Sequence, residues 1–442
     1  MNANHSQSNP GGMPAENAAW SSPAAERTTC TVIGGGPAGM VVGLLLARAG
    51  VSVTVFEKHG DFLRDFRGDT VHPSTMQLLA DLGLYDTFAT LPRGTITSVD
   101  LRLADGESVT VADFHRLRHR FPFIAMVPQW DLLNLLADAG NAEPGYTLRM
   151  STEVTGLIRD AAGRVAGVQY TGPEGAGALR SDLTIACDGR TSLARLDAGL
   201  VPHEYGMNFD VWWFRLPAST AIVDSLLPRV ARGIALVLIP RQGYIQAARL
   251  IPKGADAALR ARGIGALRRE IADTVPELAA NTDLLTSMDD VALLNARLNR
   301  LRRWHIDGLL CIGDAAHAMS PVGGVGINLA VQDAVAAARL LARPLLQRRV
   351  TIHDLAAVAR RRRYAVSVTQ LLQRGMHAAI GKVLGGGDLT LPRPVGALLR
   401  RFPQLTVIPA YVIGIGVRPE RAPAFARRSR APSEPRSTGQ PG

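Results

Sequence analysis

Apolar residues fall into short dense runs and longer spaced ones, and the two periods divide the chain into strands and helices. Residues 28–33 read as an apolar strand. After a glycine-rich break, residues 37–49 continue as a strongly apolar helix. Residues 52–56 repeat the strand pattern before a polar loop at 58–70. Residues 74–82 carry apolar positions at helical spacing and stop at Gly83. Residues 95–111 alternate as two antiparallel strands about an Asp105-Gly106 turn, and 129–139 read as an amphipathic helix. Two strands around a turn at 160–163 occupy 148–170, and 183–187 return to the central sheet. Residues 211–216 and 234–251 read as a separate antiparallel sheet, 255–277 as helix, and 291–303 as a crossing back. A last compact strand at 309–312 leads through a glycine-rich turn, 321–326, into a helix opening at Ile327. No internal repeat is visible.

This order predicts an α/β fold. A discontinuous Rossmann-type nucleotide-binding domain carries an inserted antiparallel-sheet substrate domain and C-terminal helices. The nucleotide-binding pieces are 28–94, 126–201 and 291–345, and the substrate pieces are 95–125 and 202–290. A helical region spans 346–420, between a disordered segment at 1–27 and a disordered basic tail at 421–442.

With 442 residues, 47% of them hydrophobic, the chain can bury a large core. Its net charge of +11 raises nucleic acid as a partner. From Arg418 onward, however, six Arg stand against two Glu, so the tail alone carries four of those charges. Aromatic residues are few and not interleaved with basic ones, which argues against a single-strand-binding surface. The run Arg360-Arg361-Arg362-Arg363 reads as a solvated helix face. Cys30, Cys187 and Cys311 lie too far apart for a metal knuckle and read as buried thiols in a reducing cytosol, so no metal is expected. The amino-terminal segment has no apolar signal-peptide core, and no stretch reaches the ~20 apolar residues of a membrane span. Residues 405–417 are apolar but broken by Pro409, Gly414 and Gly416. They read as a docked terminal segment, with peripheral membrane contact as the alternative.

The chemistry sits in three glycine-acid motifs. Gly34-Gly35-Gly36-Pro37-Ala38-Gly39 lies between strand and helix, where a G-x-G-x-x-G sequence gains meaning. Gly34 permits the turn, Gly36 admits a pyrophosphate, and Gly39 lets helix and strand approach. Pro37 and Ala38 open the helix, whose N-terminus favours negative charge. Glu57, with Lys58 beside it, ends the next strand where a ribose diol would donate. Cys187-Asp188-Gly189 is the second motif, and Gly313-Asp314-Ala315-Ala316-His317 the third. Asp314 can accept from a ribityl chain, while the helix start at Gly326, Ile327 and Asn328 offers free N–H groups to a flavin pyrimidine edge.

In this order the motifs resemble the single-component FAD-dependent aromatic hydroxylases, the relatives of para-hydroxybenzoate hydroxylase, over residues 28–343 and more weakly to Glu420. The resemblance implies that Arg67 contacts the FAD phosphates, Arg64 being the weaker candidate. It also implies that Gln129 touches the flavin side chain, that the backbone of Val154 meets the adenine, and that Asp188 lies along the pyrophosphate groove. His317 is expected to pack or hydrogen-bond rather than act as a base. FAD would take a hydride from NADH or NADPH, bound transiently since no second fingerprint occurs. A flavin hydroperoxide formed with dioxygen would then hydroxylate a phenolic, quinone or polyketide-like molecule.

No motif identifies the substrate residues. Trp212, Phe214, Arg215 and Tyr244 on the inserted sheet are the candidates, and alternation separates Trp212 and Phe214 from Trp213 and Arg215. Two other readings remain. One is a flavin reductase of the geranylgeranyl reductase type, which shares the motifs. The other is a non-catalytic flavin-bound scaffold or membrane-surface partner, suggested only by the basic tail and the apolar run 405–417. A flavin halogenase is disfavoured because Trp212-Trp213-Phe214-Arg215-Leu216-Pro217 departs from the Trp-x-Trp-x-Ile-Pro spacing.

Overall fold

The computed structural model describes residues 26–63, 70–102, 108–217, 227–231, 233–241, 243–387 and 393–428. Among these, the principal sheet has eight strands. Its path runs His305–Ile306, Leu309–Cys311, Gly175–Ala186, Glu26–Ile33, Val53–Phe56, Tyr146–Arg149. The last five are parallel, while Val165–Gly172 and Glu153–Arg159 extend Gly175–Ala186 as an antiparallel ribbon. Ile33 lies beside both Phe56 and Ala186, and Ala186 beside Cys311. Four parallel strands therefore finish level, and the three glycine-acid motifs follow from that shared edge. In open α/β sheets this carboxyl edge is where ligands bind.

Helix Pro37–Arg48 follows the opening strand. Pro at its first turn presets the backbone angle, and the apolar residues Met40, Leu44 and Leu45 are fully buried. It packs against Gly326–Leu346, whose Ala334, Ala337 and Leu341 complete the core on that face. Helix Ile352–Leu384 starts with a reciprocal capping box between Thr351 and Asp354.

A second, five-stranded antiparallel sheet runs Leu227–Ala231, Ile234–Pro240, Tyr244–Pro252, Phe209–Pro217, Ala292–Leu294. Helix Ile264–Thr274 covers one face of it. The other face looks toward strand Ile124–Met126 and the C-terminal helices. The mixed α/β class, the parallel core sheet and the antiparallel second sheet agree with the sequence reading.

Three expectations change. Residues 255–277 are not one helix: Gly263, at φ +73°, and Pro276 split them into Asp256–Arg260, Ile264–Thr274 and a 3-10 segment, Pro276–Leu284. The tail is not free from residue 421. Ala422 and Ala426 are buried, and Arg48 Nη1 donates to Ala426 O at 3.1 Å. The four-arginine run is not a solvated face either. Arg362 is wholly buried, and Arg361 forks Glu420 through Nε and Nη2 at 2.6 and 2.9 Å. A helical stretch cannot keep four consecutive side chains on one face, so one had to turn inward. Helix Val407–Gly414 docks through Ala410 and Gly414, leaving Ile408 and Tyr411 exposed. Among the described residues no helix is long and apolar enough to cross a membrane.

Candidate functional site

Glycine geometry brings the three motifs together. Gly34 has φ +99°, and a Cβ there would lie 2.6 Å from Cys187 O. Gly39 is tighter still, since its Cβ would meet Gly34 O at 1.9 Å. Gly313, at φ +58°, would set a Cβ 3.3 Å from Ala38 and 3.2 Å from Ala330. The loop thus meets the Asp-Gly segment backbone to backbone, and the Gly-Asp turn lies against the Ala38 and Ala330 methyls near the starts of both helices.

This arrangement suits a dinucleotide with a flavin ring. Helix Pro37–Arg48 begins at Gly36 with no side-chain cap and no acid in its first turn, so its N–H groups remain available. A Cβ on Gly36 would meet nothing within 4 Å, and that open side is the approach an anion needs. Helix Gly326–Leu346 likewise starts without a side-chain cap.

Glu57 is buried, and its carboxylate accepts from Gly35 N and from His59 N, both at 3.0 Å. The acid expected at a ribose therefore also shapes the phosphate loop. Lys58 is exposed beside it. Val154 is buried in the antiparallel ribbon, where Thr152 N bonds Glu57 O at 2.9 Å and draws that strand toward the loop. Gln129 opens helix Gln129–Asn141, half-buried. Arg64 and Arg67 lie outside the described residues.

Asp188 accepts from Ala194 N at 3.1 Å, while its Oδ1 is shielded with no donor among the described residues. Burial pushes this carboxyl above the ordinary carboxylate range, against hydrogen bonds from Ser192 and Ala194. Asp314 is more open, with Arg190 Nε 3.7 Å from its Oδ2. Burial likewise raises the Cys30, Cys187 and Cys311 thiols, which suits unreactive packing groups.

Four residues that sequence reasoning missed hold the motifs in place. Buried Arg195 donates Nη1 to Ala315 O at 3.0 Å and Nη2 to Arg190 O at 2.7 Å, bridging the Asp-Gly and Gly-Asp segments. Asp333 receives Gly313 N at 3.2 Å, pairs with His317 Nε2 at 2.6 Å and takes Arg362 Nε at 2.8 Å. Burial alone would raise the Asp333 carboxyl, but His317 and then Arg362 hold it below the usual range. His317 also packs on Trp304, a structural role. Buried Glu420 lies 3.7 Å from Arg362. A signal existed for Asp333, an acid inside the apolar stretch 329–338, but none reveals its partners.

The glycine-rich turn before the second helix is fastened on several sides. Thr70 Oγ1 donates to Gly324 O at 2.8 Å, and the buried His72 ring lies between Gly324 O and Ile413 O at 3.0 and 2.8 Å. Gln373 Nε2 reaches Ser320 O and Val322 O at 2.9 and 2.8 Å. Asn328 turns its side-chain oxygen to Ser74 and Thr75, at 2.7 and 3.0 Å, so it ties helix Pro73–Asp81 to the turn.

The substrate candidates separate by face. Trp212 and Phe214 are buried against Leu267 and Ile271 of the covering helix, and Trp212 Nε1 donates to Asp256 Oδ1 at 2.6 Å. They are core residues and cannot line a surface toward a cofactor, because strand alternation turns them to the helix-covered side. Arg215 and Tyr244 occupy the opposite face, the guanidinium 5.1 Å from the ring centroid. Among the described residues no group of three or more His, Cys, Asp or Glu could hold a metal ion.

Residues 27–371 match the family described as "FAD binding domain". The chain is 34% identical to 6-methylpretetramide 4-monooxygenase of Streptomyces rimosus, over 80% of this chain and 86% of that one. It is 26% identical to protoasukamycin 4-monooxygenase of Streptomyces nodosus subsp. asukaensis, over 72% of this chain and 80% of the other. In fold it resembles P. aeruginosa PqsL in complex with 2-aminobenzoylacetate, with a TM-score of 0.70 at 19% identity. That match covers 81% of this chain and 97% of PqsL.

Proposed function

The chain belongs to the FAD-dependent aromatic monooxygenase family, and we propose that it uses NAD(P)H and dioxygen to hydroxylate a polyketide-like aromatic molecule. It is an FAD-dependent oxidoreductase. The observation that carries the reading is the 34% identity to a monooxygenase over 80% of this chain. The meeting of Gly34, Asp188 and Gly313 at one carboxyl edge of the parallel sheet supports flavin binding. The two monooxygenases named above, one acting on 6-methylpretetramide and the other on protoasukamycin, point to the substrate class.

When bound, FAD supplies the electron transfer and dioxygen chemistry that side chains lack. The chain's part is to hold, orient and keep dry. The N–H groups of Ala38 and Gly39 would face the pyrophosphate, with Asp188 along its groove and Arg67 forking two of its oxygens. Glu57 and Lys58 would hold the ribose, and Val154 the adenine. Asp314 and Gln129 would hold the ribityl side, while Gly326, Ile327 and Asn328 offer their helix start to the pyrimidine edge. Packing of the second sheet against the C-terminal helices would keep water from the ring.

Purified protein should carry FAD that acid precipitation releases. Polycyclic phenols should speed its NAD(P)H oxidation, with one atom of labelled dioxygen entering the product. A colourless protein that cannot be reconstituted overturns the reading. Oxidation without oxygen incorporation moves it to the reductase alternative. Asp314→Ala removes a charge-assisted acceptor worth about 1.5–3 kcal/mol, so FAD affinity should fall roughly ten- to hundredfold. Equilibrium dialysis of the apoprotein measures it, and an unchanged affinity removes Asp314 from the site.

A further inference from the structure

The face of the second sheet that looks toward the glycine-rich turn carries Val211, Trp213, Arg215, Gln246, Ala248, Val237 and Ile239 by strand alternation and register. Trp213 joins two apolar clusters. One holds Ile124, Met126 and Ile413, and the other holds Val322 of the turn itself. Its neighbours across the two flanking strands are Ala248 and Ala292, so the indole stands between methyl groups rather than other large side chains.

The polar groups on this face are unusual in kind. Trp213 Nε1 is shielded from solvent and donates to no acceptor among the described residues. An indole N–H in such surroundings normally finds a partner, because a shielded donor without one keeps its desolvation cost. Gln246 is buried, and its Oε1 accepts from Arg241 Nε at 3.2 Å and Nη2 at 2.9 Å. A guanidinium only donates, so the amide orientation is fixed and Nε2 points away as a donor. It finds no acceptor among the described residues. Gln246 and Trp213 are diagonal neighbours on adjacent strands, a separation of roughly 7–8 Å. Arg215 and Arg241 stand at the same end of this face.

We infer that Trp213 Nε1 and Gln246 Nε2 select the aromatic substrate, donating to two acceptor oxygens, phenolate or carbonyl, on a planar polycyclic ring. This rests on the hydroxylase reading and adds the chemistry of recognition. A ring without acceptor oxygens leaves both donors unpaired, and such mismatches discriminate more strongly than apolar fit does.

Equilibrium dialysis of the FAD-loaded protein against 1,8-dihydroxyanthraquinone and against anthracene, the same rings without oxygen, tests this without turnover. The parent should bind the oxygenated probe at least about tenfold more tightly. Trp213→Phe keeps a ring and loses the N–H, and should weaken that probe about tenfold while leaving anthracene unchanged. Gln246→Glu keeps the oxygen that Arg241 holds but replaces the donor with an acceptor, and should do the same. If Trp213→Phe sheds its flavin, Gln246→Glu decides alone. Equal affinity of the parent for both probes overturns the inference, as does a parallel loss for both or no loss in either variant. Flavin content and NAD(P)H oxidation without probe, measured on the same samples, report separately on the hydroxylase reading.

Discussion

Asp333→Asn should lower unfolding stability by about 3–5 kcal/mol and strip most of the bound flavin. The side chain is wholly buried and serves three partners: His317, Arg362 and the backbone of Gly313. Losing the charge leaves the buried Arg362 guanidinium with Glu420 at 3.7 Å as its remaining carboxylate. Breaking a buried pair from one side costs this much because the survivor stays desolvated and poorly compensated. Against the 5–15 kcal/mol that holds a typical domain, that is a large share. The cofactor effect follows through Gly313, whose N–H would lose a charged acceptor just before Asp314. Chemical denaturation measures the first effect and flavin retained on gel filtration the second. A double variant, Asp333→Leu with Arg362→Met, should recover much of the stability but not the flavin, since no acceptor returns for Gly313. Recovery of both would make Asp333 a packing residue only.

The same carboxylate sets an acid limit. Its folded pKa lies below the unfolded value of about 3.9, so its contribution is complete above that pH. It is lost as pH falls below that value toward the lowered folded one. The parent should therefore lose stability more steeply in that window than Asp333→Asn, and parallel acid limbs in thermal melts would contradict the assignment.

Much of this fold could be read from spacing. The strand–loop–helix around Gly34, the return of 183–187 and the Gly-Asp strand are local signals, because each couples an apolar run to a backbone position only glycine fills. The meeting of those motifs was legible only through resemblance, since spacing says nothing of which strand ends are neighbours. Three things were not readable at all. Which face of the second sheet turns inward depends on where helix Ile264–Thr274 packs, so alternation separated Trp212 from Trp213 without orienting either. Arg362 looks like its three neighbours in sequence, and only an acid from another helix gives it a buried place. Glu420, inside a segment read chiefly as basic, is the anchor that docks it.

Gly39→Ala and Gly36→Ala should both abolish flavin binding, but only the first should unfold the loop. A methyl on Gly39 would stand 1.9 Å from Gly34 O, 3.1 Å from Gly34 C and 3.3 Å from a Val32 methyl. The first two are backbone atoms of a turn fixed by its own positive φ, so no side chain can swing aside. The helix must retreat from the strand by roughly 1.5 Å to reach ordinary contact, forfeiting packing along both. Retreat also pulls Ala38 away from Gly313 and misaligns the N–H groups of the first turn. The apoprotein should lose several degrees of melting temperature or fail to fold. At Gly36 the added methyl meets nothing within 4 Å, so the apoprotein should melt at the parent temperature. The cost there falls on the ligand, because the methyl fills the open side where a pyrophosphate must approach the backbone. Added FAD should then raise the melting temperature of the parent and leave that of Gly36→Ala unmoved. If Gly36→Ala still binds flavin, the phosphates do not lie over this loop. Should Gly39→Ala melt like the parent, the close packing of helix on strand is not what requires glycine there.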